Sequence, residues 1–110
     1  MTLFKRRAVR RALEKLAKDR NSAQIAEVIK DKGILGWSSP NNCPIAMYLK
    51  KVTGVKTVSV TRLDVRDGWK KPITMPRSAV TFVRAFDRGD YPELEVDRVT
   101  RYRITWGSAP

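Results

Sequence analysis

Residues 44–61, Pro44-Ile45-Ala46-Met47-Tyr48-Leu49-Lys50-Lys51-Val52-Thr53-Gly54-Val55-Lys56-Thr57-Val58-Ser59-Val60-Thr61, contain the point where the apolar period of this chain changes. Ile45, Leu49 and Val52 recur at helical spacing, so they line the buried side of a helix that Gly54 closes. Beyond Gly54 the period is two: Val58 and Val60 alternate with Thr57, Ser59 and Thr61. Residues that alternate in this way stand on opposite faces of a strand. A helix followed at once by strand sequence implies a mixed domain.

Reading forward, Leu63 and Val65 alternate again but one residue out of step, which predicts a bulge or turn at Thr61-Arg62. Asp67-Gly68 is a turn signal, and Trp69 to Thr74 is expected to return as a partner strand. Pro76 opens a fourth helix whose apolar face is Ala79, Phe82, Val83 and Phe86, and which Gly89 ends. Asp90-Tyr91-Pro92 reads as a turn, and Val99 to Trp106 as a final strand with Tyr102, Ile104 and Trp106 on one face.

Reading backward, Asn42 or Cys43 caps the third helix, with Pro44 in the first turn, where a missing amide proton does no harm. Residues 34–42 form a loop. A second helix starts at Asn21 or Ser22, where Asn21 and Gln24 have the spacing of a capping box. Its face is Ile25, Val28 and Ile29; Gly33 ends it, and Ile34 folds back towards Ile29. A first helix runs from Leu3 to Arg20, with Val9, Leu13 and Leu16 on one side. Arg7, Arg11, Lys15 and Lys18 form a basic stripe on the other, and Glu14 is placed to pair with Lys18. The expected fold is therefore α+β: three N-terminal helices, a small antiparallel sheet, a fourth helix and a C-terminal strand. Residues 1–110 make one domain, with the basic helix of residues 1–20 a possible appendage.

Two stretches, Asn42-Cys43-Pro44-Ile45-Ala46-Met47-Tyr48-Leu49 and Ala79-Val80-Thr81-Phe82-Val83-Arg84-Ala85-Phe86-Asp87-Arg88-Gly89-Asp90-Tyr91-Pro92-Glu93-Leu94, resemble a group of small uncharacterised proteins from actinobacteria and their phages. The resemblance covers roughly residues 21–96. It implies a helix–strands–helix module and carries no activity.

Charge narrows the function. The net charge is +12, and thirteen of the 23 basic residues are arginine. The excess is uneven: residues 1–20 carry eight Lys/Arg against two acids, residues 56–86 seven against two, and residues 87–110 four against five. Such a field attracts polyanions, and the guanidinium fork favours phosphate. The leading expectation is a non-enzymatic protein that binds DNA or RNA mainly through phosphate contacts. Arg7, Arg11, Lys15 and Lys18 would track a backbone. Arg62, Arg66, Lys70 and Lys71 would form a basic wing around the Asp67-Gly68 turn, with Trp69 stacking on bases and Arg101 and Arg103 contributing from the last strand. Trp37 could stack in the same way. An interaction factor that docks on an acidic host protein is the alternative, because the same field suits either partner.

Chemistry beyond binding is poorly provided for. The chain has no histidine and one cysteine. Neither a zinc site of the usual ligand count nor a thiol–imidazole pair can be assembled. Cys43 at a helix N-terminus could have a lowered pKa, but a small buried residue beside a capping proline suits it better. The acidic run Asp87, Asp90, Glu93, Glu95 and Asp97 offers a third function, a magnesium-dependent nuclease, should the carboxylates converge. No metal or other cofactor is expected. A helix-turn-helix over residues 22–32 and 43–53 is disfavoured by its long connection and by Lys50 and Lys51 lying at the wrong end of the reading helix. No secretory signal or membrane-spanning run is present, so no membrane partner is expected, and the reading places the protein in the cytoplasm.

Overall fold

The computed structural model describes residues 2–96. Helix α1 (Thr2–Ala17), α2 (Ser22–Asp31) and α3 (Pro44–Thr53) come first. Three short strands follow, β1 (Ser59–Val60), β2 (Asp64–Arg66) and β3 (Ile73–Thr74), then α4 (Arg77–Asp87) and a 3-10 turn at Pro92–Leu94. The fold is α+β, as the change of period predicts. The strand expected at Val99–Trp106 lies outside the described residues.

Local chemistry sets the helix ends. The Asn21 side chain accepts the Gln24 amide at 2.8 Å and the Gln24 side chain accepts the Asn21 amide at 2.9 Å, so the capping box closes in both directions. At the other end of α2, Gly33 has φ +68°, a left-handed conformation that costs glycine little. It lets the Gly33 and Ile34 amides donate to the Lys30 and Ile29 carbonyls, satisfying groups the helix leaves open. The same pair of bonds closes α4, from Gly89 to Phe86 and from Asp90 to Ala85.

The sheet is antiparallel in the order β1-β2-β3. Val60 pairs with Val65 and Val65 with Ile73, which lines these three side chains across one buried face. The out-of-step alternation at Thr61-Arg62 is a hairpin turn that separates two strands. The Thr61 hydroxyl accepts the Leu63 and Asp64 amides, and the Thr61 amide donates to the Asp64 carbonyl at 2.9 Å. Leu63 therefore projects from the turn, 70% exposed, rather than sharing the face of Val65. The return strand is also shorter than Trp69–Thr74. Only Ile73 and Thr74 pair, because Pro72 has no amide proton for a ladder.

α2 lies on α4 and α1 on α3, around one core. Phe82 is its largest fully buried side chain, stacked on Tyr91 at 5.2 Å and facing Phe86 at 6.3 Å between ring centres. The Tyr91 hydroxyl shares a 2.8 Å hydrogen bond with Ser22, which ties the turn after α4 to the start of α2. Residues 34–42 are more constrained than a loop reading suggests. Gly36 forms a parallel bridge with Glu95, donating to the Leu94 carbonyl and accepting the Val96 amide, both at 2.9 Å. A Cβ at Gly36 would lie 2.4 Å from the Asn42 carbonyl oxygen, so the backbone there has no room for a side chain. Val52 departs from expectation too. It shares the stripe of Ile45 and Leu49, which are fully buried, yet it is 42% exposed, because the α1 residues beside it are the short Ala8 and Ala12.

Candidate polyanion-binding face

At about 100° per residue, α1 has three kinds of surface besides its core stripe of Val9, Leu13 and Leu16. Arg7 and Arg11, with Lys18 just beyond the helix end, stand at the solvent pole. Lys15 lies on one flank. Arg6 and Arg10, which the sequence reading did not single out, lie on the opposite flank and face the segment before β3.

Arg6 joins the two basic regions. Its Nε donates to the Lys71 carbonyl at 2.8 Å and its Nη2 to the Pro72 carbonyl at 3.5 Å. These two bonds bring together residues 65 and 66 positions apart in the chain. A groove of about 360 Å³ runs beside them, lined by Arg6, Arg10, Glu14 and Lys71 above Leu13 and Ile73. Helix α1 and the Trp69–Pro72 connection thus belong to one face. The signal that could have found Arg6 and Arg10 is their four-residue spacing directly beside Val9 and Leu13.

The remaining basic residues of the expected wing are held differently. Arg66 and Asp64 form a two-point pair, with Nε to Oδ1 at 2.9 Å and Nη2 to Oδ2 at 3.2 Å. The Arg66 hydrogen bond holds the Asp64 carboxyl below its ordinary pKa, so the pair stays ionised at neutral pH. Arg62 lies 3.8 Å from Asp87. A third pair, Arg88 with Asp90 at 2.7 Å, completes the ion pairs among the described residues. No carboxylate pairs with a basic residue of α1 among them, and the expected Glu14–Lys18 pair is not formed. Lys70 and Lys71 are exposed and Trp69 is half-buried against the core. Its indole Nε1 is buried without a hydrogen bond among the described residues. Arg101 and Arg103 lie outside the described residues.

The other candidates resolve into structural roles. Cys43 is the cap of α3: its Sγ accepts the Ala46 amide at 3.5 Å, and burial pushes its pKa up to about 11. Such a thiol is protonated at neutral pH and a poor nucleophile. It borders a hollow of about 220 Å³ beside Ser38, Arg62 and Asp87, where the Ser38 hydroxyl donates to Asp87 at 3.1 Å. The acidic residues have separate partners: Asp87 meets Ser38 and Arg62, and Asp90 meets Arg88. No three acidic or thiol groups among the described residues sit close enough to hold a metal ion, and Asp97 lies outside them. The first turn of α3, Pro44 to Ala46, is buried, so this helix cannot enter a DNA groove in the manner of a reading helix.

No helix among the described residues is long and apolar enough to cross a membrane. Fold and face together describe a small basic α+β domain in which, among the described residues, no cation of α1 is paired with a carboxylate. Compared with known protein families, curated proteins and solved structures, the chain matches none.

Proposed function

We propose that this protein binds nucleic acid without catalysis, through phosphate contacts made by α1 and the Trp69–Pro72 connection. The observation that carries the reading is the Arg6 bridge to the Lys71 and Pro72 carbonyls, which joins two separate basic segments into one surface. Arg7, Arg10, Arg11 and Lys71 are exposed around it, and α1 has no carboxylate partner among the described residues. Cations free of internal pairing displace condensed counterions when they meet a phosphate backbone, which makes affinity depend steeply on salt.

The test is fluorescence anisotropy of labelled duplex and single-stranded DNA and RNA against the full chain over a salt series. Expected is binding to at least one of them whose logarithm falls linearly with the logarithm of salt. An acidic protein of similar charge serves as control. Equal binding to that control, lost on replacing Arg7 and Arg11 by Ala, would reduce the face to a non-selective positive surface and contradict the proposal.

A further inference from the structure

The flank of α1 opposite Arg6 opens onto a second groove, of about 500 Å³, where α1 meets α2 and α3. Its floor is apolar: Ala12 from α1, Val28 from α2, and Tyr48 and Val52 from α3. Val52 is on the core-facing stripe of its helix and is nevertheless 42% exposed. Ala8 and Ala12, one turn apart on α1, are too short to reach over it. The rim is cationic, from Lys15, Arg20 and Lys32, and no Asp or Glu lines the groove among the described residues. Arg20 is held in place, donating to the Lys15 carbonyl at 3.0 Å and the Leu16 carbonyl at 3.2 Å. Lys51 Nζ is anchored nearby on the Lys32 carbonyl at 3.2 Å.

An apolar floor between cationic edges suits a ligand with an apolar strip flanked by negative charge. We propose that this groove docks an acidic amphipathic helix of a partner protein, with its apolar stripe on Val52 and Val28 and its carboxylates at Lys15, Arg20 and Lys32. Helix-in-groove recognition uses apolar anchors one turn apart, which matches a floor contributed by three helices. A phosphate backbone offers nothing to cover Val52. The C-terminal residues 97–110 carry Arg98, Arg101 and Arg103 against Asp97, so their charge does not complement the rim. A second copy brings a net charge of +12 to the same rim. The proposal is independent of nucleic-acid binding, because its floor and the Arg6 groove lie on opposite flanks of α1.

The test uses the full chain and a fluorescent peptide of about four helical turns, with Leu at helical spacing and Glu at most other positions. A scrambled peptide of the same composition and a Lys-for-Glu peptide are the controls. The patterned acidic peptide is expected to bind at least about tenfold more tightly than either control. Val52→Glu and the pair Lys15→Glu with Lys32→Glu should each weaken it about tenfold or more, while Arg7→Ala with Arg11→Ala leaves it within about twofold. If Val52→Glu disturbs the circular dichroism, Val52→Ser carries the same test. Absent binding, equal binding of the scrambled peptide, or indifference to Val52 would overturn the proposal. So would Val52-dependent dimers in sedimentation, which would give the groove to a second copy.

Discussion

Helix α1 and the sheet region carry nearly the same basic excess, eight Lys/Arg against two acids in residues 1–20 and seven against two in residues 56–86, but they hold it in different ways. In the sheet region two of the seven are matched to carboxylates, Arg66 to Asp64 along one strand and Arg62 to Asp87 across to α4. In α1 none is, among the described residues. The physical reason is local geometry. Asp64 and Arg66 are two apart on an extended strand and point to the same face, so they meet without effort. On α1, Glu14 is surrounded by cations at helical spacing but closes no pair among the described residues, as exposed helix pairs are worth only about 0.3–0.5 kcal/mol. Net charge in a sequence therefore overstates what the sheet can offer a polyanion and understates the share of α1.

The greatest change should come from α1. Replacing Arg7, Arg10 and Arg11 by Ala should flatten the log–log salt dependence of duplex DNA binding by about 2–3, at ~0.9 for each phosphate left unneutralised. Replacing Arg62 and Arg66 should change it by less than about 1. Equal changes from the two variants would erase the distinction between the regions. Alanine is a good helix former, so α1 itself should persist in circular dichroism. A second variant separates fold from binding. Gly36→Ala forces a Cβ against the Asn42 and Cys43 backbone and should cost about 1–3 kcal/mol in urea denaturation, with the salt dependence of the folded protein unchanged.

Smaller effects probe the same contrast from the side of the sheet. Asp64→Asn removes the charge that holds Arg66 and should steepen the salt dependence, by at most about 1. The carboxyl of Asp64, followed by NMR, should titrate below the ordinary value of about 3.9, because Arg66 favours its ionised form. Its depressed pKa means that the pair stabilises the fold above the unfolded-state pKa. That contribution disappears as pH falls through the folded value. A midpoint at or above the ordinary value would mean that Arg66 is as free as the cations of α1.

The helices were legible because their signals are local. The Asn21–Gln24 box, Pro44 in a first turn and the closing glycines each act within a few residues, and α2, α3 and α4 lie where period and caps put them, whereas α1 ends at Ala17, short of the expected Arg20, where Asp19 turns left-handed at φ +55°. The sheet was legible as antiparallel but not in its lengths. The side-chain bonds of Thr61 that split residues 58–65 into two strands depend on a hydroxyl reaching its own turn, which a period-two pattern does not reveal. Val52 obeys its helical period and is still exposed, because period tells which side faces inward and not whether a neighbour covers it. The Gly36–Glu95 bridge joins residues 59 apart and leaves no local mark. The site was half legible: the solvent-pole arginines Arg7 and Arg11 stood out, whereas Arg6 and Arg10, nearer the apolar stripe, emerge only when α1 is seen against Lys71 and Pro72.

Whether two distant basic segments act as one face can be read by amide chemical-shift mapping. Labelled full-length protein would be titrated at low salt with an oligonucleotide chosen by the anisotropy series. Coherent shifts are expected along residues 5–18 and 69–71, saturating together, with residues 59–66 little affected. Shifts confined to one of those segments, or centred on the Asp64–Arg66 strand, would show that the face does not act as a unit.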